Sequence, residues 1–142
     1  MRNVTRSLGI TPSTPQGASH LLRRVYAREM HAHAPKGHQV PNRPPFILSK
    51  GDPVTVGERN TNWPAFVFVV SSRGEGWVPS RHLSADSGTS VAQVDYDTTE
   101  LALAAGQEVL VLERDDESGW WWCRADDGSL GWVPVNALVT RD

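Results

Sequence analysis

One cysteine in 142 residues leaves no internal disulfide to be made. The chain is therefore not stapled as many small secreted domains are, and a reducing, cytoplasmic setting is expected. Long apolar runs are missing too. No window reaches the roughly 18 apolar residues of a membrane span. The start, Met1-Arg2-Asn3-Val4-Thr5-Arg6-Ser7-Leu8, is not followed by the apolar run of about 7–15 residues that marks a secretion signal. Acidic side chains are absent from residues 1–24, which carry Arg2, Arg6, Arg23 and Arg24 among Pro12, Pro15, Gly9, Gly17 and several Ser and Thr. With so little apolar surface to offset ordering entropy, this segment reads as a flexible basic tail.

What is present is a repeat. Leu48 to Leu83 reappears without a gap at Leu103 to Leu138, a spacing of 55 residues, and both copies close on Gly-Trp-Val-Pro. A repeat of that length is a whole folding unit used twice. It divides the chain into a unit over residues 25–85 and a second over residues 91–140, joined by a short linker through Asp86-Ser87-Gly88-Thr89-Ser90. Units this small bury only about 60% of their unfolded surface. The six Trp residues answer that need, since each aromatic side chain buries roughly 150–250 Å². Charge divides the same way. Residues 1–85 carry 11 Lys and Arg against 4 Asp and Glu, residues 86–142 carry 3 against 12, and the halves are expected to attract each other at contact range. The acidic second unit favours basic partners and repels nucleic acid.

Turn signals recur every few residues, and the apolar segments between them are short and rich in Val and Phe. The spacing predicts strands over 52–58, 65–71 and 76–79 in the first unit. In the second they fall over 91–96, 107–114, 120–125 and 130–134, with Asp126-Asp127-Gly128-Ser129 as a hairpin turn. Five short strands per copy suggest a small barrel in each. The proline-rich stretch between Met30 and Phe46 is expected to be a loop or extended excursion. Strand parity places Phe66, Phe68, Trp121 and Cys123 in the cores and leaves Trp120 and Trp122 facing outward, where an indole calls for an explanation.

Val94-Asp95-Tyr96, Glu100-Leu101-Ala102-Leu103-Ala104-Ala105-Gly106, the acidic Asp115-Asp116-Glu117, Gly119-Trp120-Trp121 and Gly131-Trp132-Val133-Pro134 together resemble the Src homology 3 (SH3) family over about residues 91–140. By the repeat, residues 25–85 look like a divergent member. The resemblance implies an all-β protein of two tandem five-stranded SH3-like barrels behind a disordered N-terminal tail. It also implies a groove for proline-rich peptides, which lose little conformational entropy on docking because they are already held in polyproline II. The implied groove of the second domain uses Tyr96, Trp120, Trp132 and Pro134, with Glu100 and Asp116 or Glu117 to hold a ligand Arg or Lys. In the first domain the corresponding surface comprises Trp63, Trp77, Pro79 and His82. Two groove positions depart from the family pattern, Val94 and Ala137 standing where tyrosines are usual.

The remaining motifs point to no chemistry. His31 and His33 on a strand would face one way, but no carboxylate or cysteine cluster completes a metal site with His38. Cys123 is expected in the core, with no triad order around it. Neither an enzyme nor a cofactor is expected. The sequence favours a cytoplasmic protein-binding module taking an extended proline-rich or basic segment, with no nucleic-acid or membrane partner. The rival reading has the outward Trp residues consumed in packing domains or subunits together, through self-association. A variant of both lets the chain's own Pro-x-x-Pro sequences, Pro12 to Pro15 or Pro41 to Pro44, occupy a groove.

Overall fold

Alternating Val, Thr and aromatic residues between tight turns are realised as strands throughout. The structure is a computed structural model describing residues 29–141, and the expected basic tail over 1–24 lies outside the described residues. Among the described residues there is no α-helix, only two single turns of 3-10 helix, Ser80–His82 and Val135–Ala137. None is long and apolar enough to cross a membrane.

The described residues form eleven strands in order: β1 (Met30–Ala34), β2 (Ile47–Leu48), β3 (Pro53–Arg59), β4 (Phe66–Ser71), β5 (Gly74–Pro79), β6 (Gly88–Val91), β7 (Tyr96–Asp97), β8 (Gln107–Asp115), β9 (Trp120–Ala125), β10 (Leu130–Pro134) and β11 (Val139–Arg141). They form a four-stranded sheet β5-β4-β3-β6, a five-stranded sheet β10-β9-β8-β1-β11 and a short pair β2-β7. All these strand pairs are antiparallel.

Chain order and sheet membership disagree at two places. β1 lies between β8 and β11 of the second unit's sheet, with Ala32 opposite Val109 and Thr140. β6, which takes up the end of the expected linker, and β7 beyond it pair instead with β3 and β2 of the first unit. The two arms are equivalent. Ala34 accepts the amide of Gly106 at 2.7 Å just as Ala92 accepts that of Gly51 at 2.8 Å. His38 bridges Leu103 as Tyr96 bridges Leu48. The pairing therefore runs across the boundaries read from the repeat. The first sheet with β2-β7 is built from one continuous stretch, residues 46–98, while the second combines 30–38 with 99–141.

Local geometry explains the arrangement. After Leu83 the chain turns back at once. The Ser84 amide donates to Val91 O at 2.9 Å, the Ala85 amide donates to Ser90 Oγ at 2.9 Å, and Gly88 takes a positive φ of 68°. So short a reversal sets β6 beside β3, at the sheet edge opposite β5, because closing a few residues costs less entropy than carrying the arm to the other sheet. The slot in the second sheet is then filled from upstream.

The stretch between Met30 and Phe46, expected as a loop or extended excursion, is a paired strand for its first five residues. His-Ala-His-Ala buries only methyl groups, Ala32 and Ala34 being 2% and 0% exposed, so its alternation carries little apolar signal.

A second correction concerns parity in the first unit. In register, Phe66 opposes Pro79 and Phe68 opposes Trp77, as Trp120 opposes Pro134 and Trp122 opposes Trp132. Phe66 and Phe68 therefore share the face of Trp120 and Trp122; Phe66 is buried there at 7% exposed, as expected, while Phe68 is only partly buried and Val67 and Val69 fill the first core cluster. The connection from β3 to β4 is one residue longer than that from β8 to β9, and the following turn one residue shorter. The two changes cancel in the total length and hide the slip, which flips the whole strand. Trp121 and Cys123 are in the second core as expected.

Each unit has its own apolar core. The first gathers Leu48, Val54, Val56, Val67, Val69, Val78 and Leu83, the second Ala32, Ala34, Leu101, Leu103, Val109, Trp121, Cys123 and Val133. Burying a Val or Leu side chain contributes about 1.5–3 kcal/mol. Trp132 of β10 belongs to the first core, and Trp120 and Trp122 pack against it. The indole shelf of one unit thus covers the other.

Candidate functional site

The crossing of the two arms brings one aromatic cluster together. β9 and β10 carry Trp120, Trp122 and Trp132, while the loop before β4 supplies Trp63, whose amide is held by Asn60 Oδ1 at 2.9 Å. Gly119 sits against the Trp63 ring so closely that a Cβ there would lie 2.9 Å from it, and its φ of 83° suits glycine alone. Trp120 then meets Trp63, Phe66 and His38 edge to face, at centroid separations of 5.4, 6.2 and 5.7 Å. Tyr96 stacks on Trp132 at 5.8 Å, and Trp122 meets the same indole at 5.2 Å. The Trp132 indole N–H donates to Asp97 O at 2.8 Å.

Beside this cluster runs the segment Val40–Pro45, which carries the chain from the second sheet to the first. It is exposed throughout, ends at the buried Phe46, and lays the Arg43 guanidinium over the Phe68 ring at 5.3 Å. Between this strap and the aromatic cluster lies a cavity of about 440 Å³. Its walls include Pro41, Pro44, Trp63, Trp77, Tyr96, Glu100, Trp120 and Trp132. Among the described residues, the Trp120 indole N–H is the buried side-chain donor with no acceptor.

Six of the eleven groove residues named from the sequence, Tyr96, Glu100, Trp120, Trp132, Trp63 and Trp77, therefore meet around one cavity. They do not form two separate grooves. Tyr96 belongs by register to the first unit, and the position beside Trp120 is taken by His38. Tyr96 and Trp132 are each 8% exposed, so their rings serve packing more than display. Burial drives the Tyr96 hydroxyl far above its ordinary pKa, and it stays protonated. Pro79 and Pro134 are buried and lie outside the cavity wall. His82 packs on Tyr96 at 5.4 Å, and burial together with the Arg81 charge pushes its pKa down to about 4.

The acidic residues expected to hold a ligand cation have partners in the chain itself. Arg81 of the first unit pairs with Asp115 and with Glu117 at 3.7 Å. Burial opposes ionisation of Asp115, but the Arg81 guanidinium and Ser118 outweigh it and hold the carboxyl below its usual range. Asp116 accepts the Trp121 indole N–H at 3.1 Å. Glu100 faces His38 at 3.3 Å. The attraction between the basic and acidic halves is thus realised inside one molecule.

His38 is the site residue that sequence reasoning missed. Its only signal was position: it stands before Leu103 as Tyr96 stands before Leu48, a relation visible only once the arms are seen to cross. With these features on the page, the family comparison has a place to attach. A variant SH3 domain is found at residues 91–140, so this part of the chain is similar to a domain class that serves protein interaction. The searches of curated proteins and of solved structures returned no match.

Proposed function

We propose that the chain is a protein-binding module of two SH3-like barrels whose working surface is the cavity between the Val40–Pro45 strap and the tryptophan cluster. It takes an extended, proline-rich segment of a partner. The observation that carries this reading is the unmatched Trp120 indole N–H in an aromatic wall. A buried donor left without an acceptor costs about 1–3 kcal/mol; a small turn of the ring that brings this N–H to the backbone carbonyl of a bound peptide would remove that cost. Polyproline ridges fit between rings such as Trp63, Trp77 and Trp120 with little loss of entropy. The module acts by binding and not by catalysis, in the cytoplasm. In keeping with this, the lone thiol, Cys123, is buried and pushed up to about 12, which leaves it inert.

Titration of a proline-rich peptide library followed by Trp fluorescence tests the reading. Binding should weaken about tenfold in Trp120→Phe, which keeps a ring and deletes the donor. A library without effect on the wild-type protein, or a Trp120→Phe affinity equal to wild type, would dispose of it.

A second reading is favoured by the stacking of Trp132 on Tyr96 and the pairing of Arg81 with Asp115 and Glu117. Here the indoles fasten the two units into one rigid body that presents other surfaces. NMR relaxation separates the two. A single tumbling time with no peptide response favours the fastening role, and independent tumbling of the units removes it.

A further inference from the structure

His38 occupies a place where both ring nitrogens meet acceptors. Nδ1 lies 2.9 Å from Leu101 O, and Nε2 lies 3.3 Å from Glu100 Oε1. A neutral imidazole has one N–H and can satisfy one of these acceptors; the imidazolium satisfies both. With the backbone carbonyl fixed by the sheet, loss of the proton turns a lone pair toward the Glu100 carboxylate. The contact that holds Glu100 then becomes repulsive. Glu100 is part of the cavity wall and His38 lies two residues before the strap that closes its other side.

We propose that His38 is a proton-dependent specificity residue of the cavity: protonated, it keeps Glu100 engaged and the wall without free charge; deprotonated, it releases a carboxylate to a basic ligand. This rests on the cavity being the binding surface. Side-chain exposure of 11% for His38 and 25% for Glu100 keeps the pair from being fully screened yet leaves Glu100 within reach of a ligand. The charged group facing His38 is Glu100, on the segment leading to β8. From β9 the Trp120 ring faces it edge-on, and Leu101 contributes its carbonyl. The hydrogen bond to Glu100 and that to Leu101 hold the proton above the ordinary imidazole range, against the burial that opposes it. The transition therefore falls above that of an ordinary imidazole. His82, another histidine at the junction, titrates far below because burial and then the Arg81 charge lower it, against the pull of Asp115.

The test uses the full chain and two synthetic peptides of polyproline type that differ only in Arg against Gln at one position. His38 titration is followed by NMR, and both affinities are measured on either side of it. The Arg-to-Gln affinity ratio should rise about three- to fivefold with pH in the wild type, the value of one partly exposed charge pair. It should stay flat in Glu100→Gln and in His38→Gln. A ratio that is flat in the wild type while both peptides bind overturns the inference and leaves the binding surface standing. Absence of binding by either peptide at every pH overturns the binding surface and the inference with it.

Discussion

The two units share a repeat but not a construction. The first is assembled from residues 46–98 in one stretch, its last strands folding back through a tight hairpin. The second waits for β1, which lies before the first unit in the chain. The residues repeat, but β6 and β7 stay with the first sheet while β1 fills the equivalent place in the second. The two also differ in what lies over their aromatic faces: Phe68 and Trp77 meet each other beneath Arg43, whereas Trp120 and Trp132 are covered by the other unit.

The sharpest way to break this comparison is to cut the chain. A fragment of residues 46–98 should unfold cooperatively in urea, since it keeps its own sheet and most of its core. A fragment of residues 91–140 should show no dispersed amide spectrum, because β8 has lost its partner β1. A folded 91–140 fragment would mean the arms are not exchanged. Next in size are the tryptophans of the shared motif. Trp132→Ala should cost about 3–5 kcal/mol by denaturant melting, as expected for a buried aromatic, while Trp77→Ala, half-buried, should cost clearly less. The glycines before them should differ as well. A Cβ on Gly131 would come within 2.6 Å of the Leu101 backbone nitrogen, while one on Gly76 would meet the Phe46 ring at 3.3 Å. Overpacking against backbone costs about 1–3 kcal/mol, so Gly131→Ala should fall in that range and Gly76→Ala below it.

The effects of pH at the two histidines have opposite signs. The folded pKa of His82, about 4, lies below its unfolded value of 6.5, so its contribution is present above 6.5 and is lost as pH falls toward 4. The folded pKa of His38 is raised, so its contribution is present below the unfolded value and is lost as pH rises through the folded one. His82→Gln should flatten the acid side of a stability-against-pH curve and His38→Gln the side above the ordinary imidazole pKa. Curves that shift on the same side for both variants would contradict these assignments.

Much of this was legible beforehand. β9, β10 and the Asp126–Ser129 turn fall where alternation and Asp-Gly place them, and the SH3 likeness of residues 91–140 rests on motifs quoted from the sequence alone. What could not be read has specific causes. The β4 register was masked by two loop changes of opposite sign. β1 was masked by inward alanines. The crossing of the arms left every local signal intact while changing which strand met which, so Tyr96 appeared to stand beside Trp120 when His38 does. The destination of Arg81 was foreshadowed by the charge asymmetry, but its specific carboxylates depended on that crossing.

The position of β1 also sets a timetable for synthesis. Residues 46–98 can complete their sheet while the remainder is still being made, and domains commonly fold in that order. Met30–Ala34 is made first in that scheme and placed last, held in waiting until Val139–Arg141 emerges to flank it. Its small, weakly apolar side chains suit such an interval, because a strand of alanine and histidine left unpaired offers little for a neighbouring ribosome's product to stick to.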